Sequence, residues 1–145
     1  MGMGDEPSPV RQGMGYYAMD RVSKYWPETL GILRIVIGLL FLEHGTSKLF
    51  GFPASSTAMP AMGTLHWFQG VIEIAGGALF AIGLFTRPVA FILAGDMAVA
   101  YFMAHAPRGF FPMLNGGDAA ILYCFIFLIY FVAGPGRWAI GNTAK

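Results

Sequence analysis

Apolar residues fall in long blocks along this chain, each bounded by proline, glycine or charge. A helix needs about 20 mostly apolar residues to cross a bilayer. Four stretches qualify: Leu30 to Lys48, Leu65 to Thr86, Pro88 to Ala106 and Asp118 to Gly136. The fourth is the cleanest, because Ala119 to Gly136 carries no charge and closes on Gly134-Pro135-Gly136, a sequence that stops a helix. The other three hold Arg34, Glu43, His44, Glu73, Asp96 and His105 inside apolar runs. Such residues avoid lipid by facing the bundle interior, a water-filled cavity or the interface. The pattern predicts an all-α fold, an integral membrane four-helix bundle over residues 28–138, with an N-terminal tail of residues 1–27 and a short tail of residues 139–145.

In the N-terminal tail, Tyr16, Tyr17, Tyr25 and Trp26 interleave with Arg21 and Lys24. That is the pattern of a segment resting at headgroup level, and disorder is an equal reading for the first dozen residues. Asp5 and Glu6 stand where a signal peptide needs positive charge, so the tail is not read as one. Lysine and arginine set the orientation. Arg11, Arg21, Lys24, Arg87, Arg137 and Lys145 fall on one side of the four spans, and only Lys48 and Arg108 on the other. The positive-inside rule then places both termini of this multi-pass membrane protein in the cytoplasm.

Composition agrees with the pattern. Of 145 residues, 56% are hydrophobic and 12% charged, with a mean hydropathy of +0.59. Soluble proteins carry about 25% charged residues, so the bilayer is the solvent for this chain's exterior. The formal net charge of +1 excludes nucleic-acid binding through a broad basic face. The single cysteine, Cys124, excludes an intrachain disulfide and a cysteine-built zinc site.

The polar residues inside the spans lean to the side of the longer loops. His44 and Lys48 end span one, His66 and Gln69 begin span two, His105 ends span three, and Asn115 and Asp118 lead into span four. Glu73 lies about 12 Å into span two and Asp96 near mid-depth, at the helical rise of about 1.5 Å per residue. His66, Gln69, Gly70, Glu73, Gly77 and Phe80 share one helix face, and Arg34, Gly38, Phe41, Gly45 and Lys48 share another. Glycines in such stripes let helix backbones approach closely. Glu43 projects away from Arg34, toward the outer loop or the headgroups.

Each polar residue has a plain reading beside the functional one. Arg34 snorkels or pairs with a carboxylate, and Asp96 is either neutral and hydrogen-bonded within the bundle or paired with Arg34. Lys48 reads as an interface anchor. Glu73 must be paired, protonated or wet at its depth, and is as much a functional candidate as a structural one. Three histidines on three helices, with no i, i+4 pair, point to no metal or haem site. Trp67, Phe68, Phe110 and Phe111 form an aromatic belt. Pro107 to Pro112 lies in the outer interface as a lid, and Asp118 caps span four.

Several motifs in order carry a family likeness: Arg34, Gly38, Phe41, His44-Gly45 and Lys48 to Gly51; Gly70, Glu73, Gly76-Gly77 and Gly83; Asn115 to Asp118 with Leu122-Tyr123; and Gly134 to Trp138. From about Leu30 to Trp138 the chain resembles the DoxX family of small bacterial and archaeal membrane proteins. Asp118 stands where the family more often has Glu, and Ala139 and Gly141 where it has Ser and Asp. The resemblance implies a four-helix protein of the bacterial inner membrane associated with redox systems, as subunits of thiosulfate:quinone oxidoreductase or partners of enzymes handling thiols, oxidative stress and quinones.

Two functions follow as expectations. In the first, the chain is a membrane subunit of a quinone-linked oxidoreductase, its outward polar site formed from Arg34, His44, Lys48, His66, Gln69, Glu73, Asp96, His105, Asn115 and Asp118. His44, Glu73 and His105 donate or relay protons, and Arg34 or Lys48 stabilises a reduced anion. In the second, it is a non-catalytic accessory subunit that stabilises a larger respiratory or photosynthetic complex. Neither assigns the chain an intrinsic cofactor; a bound quinone or lipid, membrane lipids and other subunits of a redox complex are its expected partners. A transporter reading is weaker, since no internal repeat or proline-broken span builds a midplane site.

Overall fold

The computed structural model describes residues 21–55 and 58–141, so the reading of the first dozen residues lies outside the described residues. The described chain is all-α. Helix α1 spans Trp26–Phe50, α2 Leu65–Ile82, α3 Thr86–Ala100 and α4 Asp118–Ala133. Tyr101–His105 continues α3 as a π-helical turn, Ala106–Arg108 as a 3-10 turn, and Pro112–Asn115 forms one isolated helical turn.

Helix boundaries follow local chemistry. α1 starts earlier than expected because Pro27 fits the first turn of a helix and Glu28 complements its positive end. It stops at Gly51, which takes a left-handed conformation with φ 66°. α2 is shorter than expected: Gly83, with φ 76°, caps it, and Thr86 belongs to α3. α4 ends at Ala133, since Pro135 has no N–H and disfavours helix in Gly134.

Among the described residues, three segments are long and apolar enough to cross a membrane: Trp26–Phe50, Leu65–Ile82 and Thr86–Arg108. α4, at 16 residues, rises about 24 Å against a hydrocarbon core of about 30 Å. Successive helices run antiparallel, with α1 against α2 and α3 against α4 the closest pairs. At one end of the bundle lie the Gly83–Phe85 turn and residues 134–141 (the turn end); at the other lie residues 51–64 and 106–117 (the loop end).

The two tight pairs are joined by aromatic rings. Phe127 of α4 meets Phe41 of α1 at 5.0 Å and Phe80 of α2 at 5.1 Å, and Tyr130 meets Phe80 at 4.9 Å, all edge to face. These four rings are buried, and such pairs add about 0.5–1.5 kcal/mol each beyond their burial. The Tyr130 hydroxyl donates to the Leu30 carbonyl at 2.6 Å. Outward, α1 shows Ile32, Val36 and Leu39, and α4 shows Leu122, Phe125 and Ile129, an apolar exterior suited to lipid.

Candidate functional site

Arg34 lies at the turn end and is fully buried. It neither snorkels nor pairs with Asp96. Its guanidinium donates to the carbonyls of Ala81 (3.4 Å), Arg137 (3.0 Å), Trp138 (2.9 Å) and Pro135. The Ala81 carbonyl closes the negative end of α2, and the other three belong to the chain leaving α4. Arg34 stands 14 residues from Lys48 on α1, about 21 Å at helical rise, so it is no part of a site at the loop end.

Glycines bring the loop-end residues together. A Cβ on Gly45 would lie 2.6 Å from Ile74 and 2.9 Å from the Gly70 carbonyl, so α1 and α2 touch backbone to backbone here. This contact sets Lys48 Nζ 2.6 Å from Glu73 Oε1. Glu73 is 2% exposed and the Lys48 side chain 29%. Glu73 Oε2 is shut from solvent and has no hydrogen-bond partner among the described residues. Lys48 is thus the counter-ion of a buried carboxylate.

Above the ion pair opens a cavity of about 360 Å³ between all four helices, with His44, His66, Gln69, His105 and Tyr123 in its walls. His44 meets the Tyr123 ring edge-on at 6.2 Å. His105 Nδ1 lies 3.1 Å from the Asn115 carbonyl. A carbonyl only accepts, so Nδ1 is the donor in this contact. The π-helical turn ends on His105, and such turns are frequent at functional sites. A second cavity, of about 460 Å³, lies between α2 and α3 and is lined by Asp96, whose Oδ2 is buried without a hydrogen-bond partner among the described residues.

Of the ten residues expected at the site, His44, Lys48, His66, Gln69, Glu73 and His105 line the first cavity, and Asp96 with His66 and Gln69 lines the second. Asn115 is buried scaffold. It donates from Nδ2 to the Gly109 carbonyl and accepts from the Gly117 N–H at Oδ1, both at 2.8 Å. Asp118 is exposed and does not cap α4; the N-cap is Gly117, held by Asn115. Among the described residues no three His, Cys, Asp or Glu are grouped to hold a metal ion. Arg108 and Tyr123 line the first cavity and were not expected there. Their signals were present: Asp96, Ala100, Ala104 and Arg108 repeat every four residues, and Tyr123 lies one turn before Phe127.

The DoxX family profile matches residues 29–106. An uncharacterized protein of Haemophilus influenzae is 46% identical over 129 residues, covering 86% of this chain and 96% of that one. An uncharacterized membrane protein of Mycobacterium tuberculosis is 30% identical over 79% of this chain and 80% of its own. The inner membrane protein YqjF of Escherichia coli is 28% identical over 78% and 91% respectively. No solved structure matches the chain.

Proposed function

Because the chain belongs to the DoxX family of membrane proteins, we propose that it serves a quinone-linked oxidoreductase system as a membrane subunit, holding a quinone headgroup in the loop-end cavity. The observation that carries the reading is the Lys48–Glu73 pair in a cavity that also presents His44, His66 and His105. Quinone carbonyls accept hydrogen bonds, and two-electron reduction takes up two protons. Lys48 supplies a cation for developing negative charge, while Glu73 and the histidines hold and pass protons. The chain has a single cysteine and no haem-attachment sequence, so electrons come from a partner. The name of the Escherichia coli relative supports placement in the inner membrane.

Glu73→Gln and His44→Ala test the reading in isolated membranes, with the chain's abundance checked by immunoblot. Quinone-dependent electron transfer is expected to fall at least tenfold in Glu73→Gln; unchanged turnover in both variants sinks the proposal. The same lack of an own electron carrier favours the accessory-subunit reading as the alternative. That reading prevails if the chain co-purifies with a large complex whose activity survives its deletion.

A further inference from the structure

We infer that the cleft between α2 and α3 holds the hydrocarbon chain of the ligand whose headgroup occupies the loop-end cavity, so that the site takes a membrane-resident, tail-bearing amphiphile directly from the bilayer. The inference rests on the reading of that cavity as a ligand site and specifies what enters it.

The two helices touch deep in the bundle, where a Cβ on Gly76 would lie 2.5 Å from Leu93. Toward the loop end they part around the cavity of about 460 Å³. Its walls are chiefly Leu65, Phe68, Ile72, Val99 and Met103, with Asp96 the one carboxylate. Leu65, Phe68, Val99 and Met103 are each about half exposed or more, so the cleft opens sideways to where lipid lies, not toward water at the bundle's end.

The cleft and the inner cavity share a wall of His66, Gln69, Ala100, Ala104 and Arg108. Ala100 and Ala104 are small and stand one turn apart, and the other three are side chains that swing on rotatable bonds. The wall is therefore thin, and the π-helical turn runs through it at Tyr101–His105. Lys48, Glu73, His44 and His105 line the inner cavity alone, whereas Leu65, Phe68, Ile72, Val99 and Met103 line the cleft alone, with Asp96 its one charged group outside the shared wall. An amphiphile has that division along its own length, and each volume lies within the roughly 300–1,000 Å³ of ligand pockets.

The test uses one headgroup with and without a tail: a dimethoxy-methyl-benzoquinone and its decyl derivative, titrated into the purified full chain in lipid nanodiscs by calorimetry. Val99→Trp fills the cleft without touching the inner cavity, and Met103→Trp does so from the next turn. Both side chains already face outward, and monodisperse elution confirms folding. In either variant, affinity for the decyl quinone is expected to fall about tenfold while affinity for the tail-less quinone stays within twofold. Equal loss for both probes, or no loss for the decyl probe, overturns the inference; the latter outcome leaves the cleft to a bilayer acyl chain. If neither probe binds the unaltered chain, the ligand reading of the cavity falls, and this inference with it.

Discussion

Lys48 and Glu73 do not contribute equally to their ion pair. Glu73 is buried, whereas Lys48 keeps part of its stem exposed and can swing its ammonium toward the loop end. Removing the cation strands a carboxylate; removing the carboxylate leaves a cation with a way out. Lys48→Met is therefore expected to destabilise the protein by about 3 kcal/mol, and Glu73→Gln by clearly less. The double variant should recover most of the loss, which thermal unfolding in mild detergent reads directly. If the two single variants cost the same, the burial asymmetry does not govern the pair. The pairing was half legible in the sequence. Lys48 and Glu73 each fell on a glycine-bearing helix stripe, but which stripe faced which depended on packing. Arg34 was harder to place, since its partners are backbone carbonyls, three of them about a hundred residues away, and a carbonyl leaves no mark on a sequence.

At the scale of helices, the α1–α2 contact depends on having no side chain at Gly38 and Gly77, as it does at Gly45. A Cβ on Gly38 would lie 2.8 Å from the Ala81 Cα, and one on Gly77 would lie 2.8 Å from the Leu42 backbone nitrogen. Backbone cannot rotate aside, so Gly38→Ala and Gly77→Ala should each cost about 1–3 kcal/mol by forcing the helices apart. Gly95, on α3, has no other side chain or neighbouring element among the described residues within 4 Å of the same position. There alanine is expected to be neutral or to gain up to about 1 kcal/mol of helix propensity. The ordering of melting temperatures, Gly95→Ala at or above the unaltered protein and the other two below it, checks the argument. These glycine stripes were visible in the sequence because a helical period of 3.6 leaves a signature. The helix ends were less so. Span two lost its last residues to the left-handed Gly83, and span three runs on past His105 through a π-helical turn and then a 3-10 turn.

For the molecule as a whole, the shortness of α4 needs compensation, because non-helical backbone at membrane depth must find partners within the protein. Residues 134–141 provide this by returning over the turn end. Arg137 N–H donates to the Pro27 carbonyl at 2.8 Å, Ile140 N–H to Ile82 at 3.1 Å, and Gly141 N–H to Gly83 at 3.3 Å, while the Arg137 side chain pairs with Glu28. Gly136 permits the approach: a Cβ there would lie 2.7 Å from the Gly31 nitrogen. Arg34 ties this segment to α1 and α2 at once. Lysine keeps the charge but not the fork of donors. Arg34→Lys should therefore loosen the segment and speed tryptic cleavage after Arg137 at least several-fold, as followed by mass spectrometry. Cleavage at the unaltered rate means that the segment is held without Arg34, by its backbone bonds and the Arg137–Glu28 pair.

The orientation of the bundle decides which compartment exchanges protons with the cavity. Lys48 and His66 line both the inner cavity and a further hollow beneath Ala58 to Thr64, so its polar route leads to the loop end. Charge counting leads to the expectation that this end lies outside: Arg21, Lys24, Arg87 and Arg137 belong to the turn end, against Lys48 and Arg108 at the other. A protonatable site open on the outer face exchanges protons with the outer compartment, whereas the reverse orientation makes it exchange with the cytoplasm. Alkaline phosphatase fused after Pro60 is expected to be active and green fluorescent protein fused after Lys145 to fluoresce, since the first enzyme needs the outer compartment and the second folds in the cytoplasm. Inactive phosphatase together with dark fluorescent protein would reverse the assignment. The quinone reading would survive that reversal, but its protons would be drawn from or released to the cytoplasm.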